Sequence, residues 1–130
     1  MHKYISTFLA VAWMITVAVI SLISLEGAPK LTFSFADKII HAIVYCIFSI
    51  VWFYAFFKGI TTHFLRKNAL LASVIFGIMY GILIEILQET VVENRQGDWQ
   101  DVLANVTGTL FAVLLIKVFI ANNRKLKTQN

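Results

Sequence analysis

The stretch ALLASVIFGIMYGILIEILQ, Ala69–Gln88, decides the fold, because it is 20 residues long and carries one formal charge, Glu85. About 20 apolar residues are what a helix needs to cross the hydrocarbon core of a bilayer. Backbone groups in lipid must pair within their own segment, so a lone run of this kind is a helix. Three more runs match it: YISTFLAVAWMITVAVISLIS at 4–24, IIHAIVYCIFSIVWFYAFF at 39–57 and VLANVTGTLFAVLLIKVFIA at 102–121. The first is longer than the apolar stretch of a signal peptide, and SLEGAPK offers a poor small-x-small cleavage site, so it is read as a retained span.

The whole chain agrees with those runs. Its 130 residues are 59% hydrophobic and 14% charged, with a mean hydropathy of +0.80. A soluble domain carries roughly 25% charged residues, enough to cover its surface. Too little polar surface is present here for water, and membrane lipids are the expected surroundings. The expected fold is all-α: one domain over residues 1–130, a four-transmembrane-helix bundle. The net charge of +4 is dispersed and forms no basic stripe, which argues against nucleic acid as a partner. The single cysteine, Cys46, excludes an internal disulfide and reads as a small packed thiol.

Loop charges set an orientation. Lys3, Lys58, Arg66, Lys67, Arg124, Lys125 and Lys127 fall on one side, and Lys30, Lys38 and Arg95 on the other. Basic residues are retained on the cytoplasmic face, so both termini are expected in the cytoplasm. Lys117, near the end of the fourth run, can snorkel to that face. The seven acids, Glu26, Asp37, Glu85, Glu89, Glu93, Asp98 and Asp101, all fall in the outer loops or near the outer helix ends. Acids contribute little to topology, so a concentration of polar chemistry on the outer face is the better explanation.

Helical spacing organises that chemistry. Gly77, Gly81, Glu85 and Gln88 fall within about 80° on the third helix, and Asp101, Asn105, Gly108 and Ala112 within about 60° on the fourth. Asp37, His41 and Tyr45 form a third stripe, on the second helix. Gly77 and Gly81 make a GxxxG that admits close helix packing. An ionisable group within a span usually faces the bundle interior or water, which makes Glu85 a functional candidate. The stripes are expected to converge on an outward-opening polar pocket, with Arg95, Asp98 and Trp99 above it. The plainer readings are helix caps for Asp37 and Asp101, a satisfied interior histidine for His41 and an interfacial anchor for Trp99.

The segments DKIIHAIVY, GILIEILQE and NRQGDWQDVLANVTG together resemble the signature of VanZ-like membrane proteins. Asp37, Lys38, His41 and Tyr45, then Gly81, Glu85 and Gln88, then Arg95, Asp101, Asn105 and Gly108 meet it, over residues 37–112. Ala112 stands where the family often has a second glycine, and the first helix carries no part of the signature. The resemblance implies a small multi-pass protein of the bacterial cytoplasmic membrane. It also implies a family-level link to resistance against teicoplanin, a glycopeptide that binds cell-wall precursors outside the membrane.

Three functions suit the residues. The first is recognition of a lipid-linked or cell-envelope head group, with Lys38 and Arg95 on an anion and Glu85, Gln88, Asp101 and Asn105 on hydroxyls or an amine. The second is an enzyme acting on such a head group, with His41 and Glu85 as acid and base. The third is an ion or small-solute transporter, which the apolar inner halves disfavour. No cofactor is expected; a hard divalent cation on Asp37, Glu85 and Asp101 is the alternative. The sequence leaves the oligomeric state open.

Overall fold

The computed structural model describes residues 2–23, 34–59, 61–92 and 98–128. Five helices follow in order: α1 His2–Leu22, α2 Ser34–Lys58, α3 His63–Lys67, α4 Ala69–Val91 and α5 Trp99–Thr128. Among the described residues there is no strand. Four of the helices, all but α3, are long and apolar enough to cross a membrane.

α2, α4 and α5 outrun their apolar runs, whereas α1 ends at Leu22, before the expected 24. α2 begins at Ser34, before the expected 39, so Asp37 and Lys38 stand inside its first turns. α5 begins at Trp99 because Asp98 caps it: its Oδ1 accepts from the Gln100 amide at 2.8 Å, and its carbonyl from the Asp101 amide at 2.9 Å. The capping role weighed for Asp101 therefore belongs to Asp98, which releases the Asp101 side chain for other contacts. The short basic helix α3 was not expected from the sequence. Thr62 Oγ1 accepts from the Leu65 amide at 3.3 Å to start it, and Asn68 turns the chain into α4.

α2 is the centre of the bundle and packs against α1, α4 and α5, whereas α1 touches α2 and α4 and makes no packing contact with α5. The α2–α5 contact is close because Gly108 lacks a side chain. A Cβ there would lie 2.7 Å from the Ala42 carbonyl carbon, and Ala112, one turn on, is fully buried. At Gly77 and Gly81 the space is taken by side chains instead, Ser49 and Thr109 at the first, Tyr45 and Asn105 at the second. An aromatic ladder fills the α2–α4 seam, with Phe48 stacked on Tyr80 at 4.8 Å and Trp52 edge-on to Phe76 at 4.6 Å. Phe53, Ala69 and Ile116 form a small apolar core toward the opposite end from Asp37 and Asp101. Large apolar side chains such as Phe8, Ile20, Leu71, Met79 and Leu114 cover the outside. That surface suits acyl chains and would aggregate in water.

Candidate functional site

The first turns of α2 and α5 and the last turns of α4 meet at one end of the bundle, the polar end. Lys38 of α2 reaches α5, where its ammonium donates to Asp98 Oδ2 and Asp101 Oδ1. Asp101 has a side chain only 6% exposed, so this pairing is what lets its charge sit inside. The Lys38 ammonium, bonded to the Asp98 carboxylate, holds that carboxyl below the usual range, helped by the Gln100 amide.

One turn deeper, His41 is the hub. Its Nδ1 lies 3.0 Å from Asn105 Oδ1 and 3.9 Å from Glu85 Oε1. Its Nε2 lies 3.8 Å from Asp101 Oδ2 and 4.0 Å from Asp37 Oδ1. Asn105 Oδ1 only accepts, so Nδ1 is the donor of that bond, and Nε2 is turned toward the two carboxylates. Glu85 and Asn105 are buried. One turn deeper again, Tyr45 is buried beside Gly81, and its hydroxyl has no hydrogen-bond partner among the described residues.

Asp37, Lys38, His41, Glu85, Asp98, Asp101 and Asn105 thus share one corner of the molecule. Arg95 lies outside the described residues. Trp99 is 69% exposed at the start of α5, as an interfacial anchor would be. Gln88 is buried, and its amide is tied to α1: Nε2 donates to the Ser21 carbonyl at 2.9 Å.

That bond introduces the helix the sequence left without a role. Tyr80 donates to the Met14 carbonyl at 2.7 Å and Trp13 Nε1 to the Val44 carbonyl at 3.4 Å, so α1 is tied to both α4 and α2. Between these helices runs a cleft of about 200 Å³. Its walls include Trp13, Val17, Ile20, Ile40 and Val44, and its polar lining includes Asp37, His41, Tyr45 and Gln88. A second polar layer was also missed. Ser49 Oγ donates to Thr109 Oγ1 at 3.2 Å, both buried, beside Gly77. Ser and Thr are common in apolar spans, so only their shared depth with Gly77 could have signalled the pair.

Asp37, His41 and Asp101 each offer a ligating atom within 4.8 Å of the others, a spacing on which one metal ion can be held. His41 beside Glu85 also has the composition of an acid–base pair.

A family profile described as VanZ/LLP1 matches residues 3–120. The match takes in α1 as well as the three helices that carry the polar residues. No curated protein and no solved structure matches the chain.

Proposed function

The chain belongs to the VanZ/LLP1 family, and from that premise we propose that its polar end recognises the head group of a lipid-linked or cell-envelope molecule. The observation that carries this reading is the two-faced cleft between α1, α2 and α4. Its apolar walls suit an acyl or polyprenyl chain, and His41, Asp37 and Gln88 offer donors and acceptors to a polar head. Such a cleft inside a membrane protein favours a ligand with both characters. The site faces outward in this proposal, with both termini in the cytoplasm of a bacterial cell. An impermeant thiol reagent that reached Thr128→Cys in intact cells would overturn that orientation.

Native mass spectrometry of the protein in nanodiscs of bacterial lipid extract tests the binding. One lipid class is expected to be retained by the wild type and lost from His41→Ala and Gln88→Leu, both still helical. Equal retention by all three would sink the proposal. The enzyme reading has the His41–Glu85 approach in its favour, and the same experiment separates it. Turnover changes the head-group profile and stops with Glu85→Gln, whereas recognition leaves the profile intact. A transport path has less support, because the polar groups gather at one end and Phe53, Ala69 and Ile116 form an apolar core toward the other. The connection to teicoplanin comes from the family alone, and comparing growth on the drug with and without the gene tests it.

A further inference from the structure

The His41 ring presents a problem that head-group recognition does not resolve. Its Nδ1 is taken up by Asn105 Oδ1, which leaves Nε2 facing two carboxylate oxygens. Asp101 Oδ2 at 3.8 Å and Asp37 Oδ1 at 4.0 Å are both too far for a hydrogen bond. Three potential ligand atoms, one from each of Asp37, His41 and Asp101, therefore border one gap without a hydrogen bond joining them. Lys38 does not fill the gap, since its ammonium is held on the far oxygen of Asp101 and on Asp98.

The dimensions of the gap suit a metal ion. Imidazole nitrogen and carboxylate oxygen sit about 2.0–2.2 Å from a bound zinc, so donors roughly 4 Å apart can share one ion. Asp37 closes the remaining distance, because its side chain is 42% exposed and has room to turn. The surroundings match a metal centre too. A ligating histidine ordinarily donates its other N–H to an oxygen acceptor, and Asn105 Oδ1 is that acceptor here. Independently of the cluster, Gln88 is 1% exposed, lines the same cleft as Asp37 and His41, and has an Oε1 with no hydrogen-bond partner among the described residues. A buried acceptor left open is costly, and a water on a bound ion would supply the missing donor.

We propose that Asp37, His41 and Asp101 bind a divalent transition-metal ion, zinc or manganese. The imidazole selects a transition metal over calcium or magnesium. Glu85 is not a ligand in this arrangement, which separates it from the all-carboxylate set expected from the sequence. Three protein ligands leave positions for water and for an anionic oxygen of a molecule in the cleft. The site does not require the head-group reading: metal bound without lipid, or lipid without metal, tells the two apart.

The test uses untagged full-length protein in detergent, stripped with chelator and titrated with zinc chloride or manganese chloride by calorimetry, with elemental analysis of the dialysed complex. Wild type is expected to bind one ion per chain. His41→Ala and Asp37→Asn abolish that binding, and Asn105→Ala weakens it about 10–100-fold through loss of ring orientation. Glu89→Gln, an exposed acid outside the cluster, leaves it unchanged. Asp37 lies near the surface, so its variant keeps the test readable if His41→Ala unfolds. Failure of the wild type to bind either ion at micromolar concentration, or wild-type binding by folded His41→Ala and Asp37→Asn, overturns the proposal.

Discussion

Lys38 on α2 and Asp101 on α5 form a buried ion pair across the most extensive helix contact in the bundle, and Asp98 shares the same ammonium. Asp101 is nearly inaccessible, whereas Asp98 is 40% exposed. The two carboxylates therefore depend on Lys38 to very different degrees.

Lys38→Met should leave Asp101 charged and buried without its main partner. A stranded buried group of this kind costs about 1–3 kcal/mol or more, so unfolding in detergent should occur at visibly lower denaturant. Adding Asp101→Leu should recover much of that loss, because an apolar pair of similar volume often replaces a buried ion pair at little cost. If the double variant is no more stable than Lys38→Met, the pair is not what the single change disrupts.

Asp98 should give the polar end a pH dependence. Its bond to the Lys38 ammonium lowers its carboxyl from the ordinary 3.8. A depressed carboxyl stabilises the folded state fully above its unfolded value and loses that contribution as pH falls through the folded value. The stability difference between wild type and Asp98→Asn should therefore be flat above 3.8 and shrink below it. A difference that grew on acidification would reverse the sign and disprove the assignment. Exposure and salt screen this interaction, so its size should fall as ionic strength rises.

Much of this end of the molecule was legible in the sequence, and the reasons are geometric. Asp37, His41 and Tyr45 recur every four residues, and in lipid only a helix is available, so a shared face follows without any knowledge of packing. The ties of α1 were not legible. Gln88, Tyr80 and Trp13 all bond backbone carbonyls, and a carbonyl acceptor leaves no trace in residue type. The start of α5 was placed too late for a related reason: a cap is polar and so lies outside the apolar run that reveals the span. Lys38 had the right neighbourhood but not its partners, since spacing along a chain says nothing about which neighbouring helix a long side chain reaches.

The glycines should rank in a definite order. Gly108→Ala drives a methyl group into the Ala42 backbone, which moves only if α5 leaves α2. Overpacking of this sort costs about 1–3 kcal/mol. At Gly77 the nearest atoms are Ser49 Oγ at 2.9 Å and Thr109 Oγ1 at 3.1 Å, hydroxyls that can rotate away. Gly77→Ala should therefore be the milder change, measured as the denaturant midpoint in detergent. The reverse order would mean that the α2–α5 seam is not the tight one.

Ser49 and Thr109 provide the last check, because they lie deep enough that water does not compete for their hydroxyls. Each is almost fully buried, and their bond joins the two helices that carry His41 and Asn105. Hydrogen bonds between membrane helices average about 0.6 kcal/mol by double-mutant cycle, well below what desolvation alone suggests, since the unfolded chain in lipid also finds partners. A cycle of Ser49→Ala and Thr109→Val should return a coupling near that value. Zero coupling would mean the hydroxyls bond their own helices instead. A coupling well above about 1.7 kcal/mol would exceed the strongest such bonds and imply that the pair holds the polar end together above it. In that case the His41–Asn105 contact should loosen in either single variant, and metal or lipid binding should weaken with it.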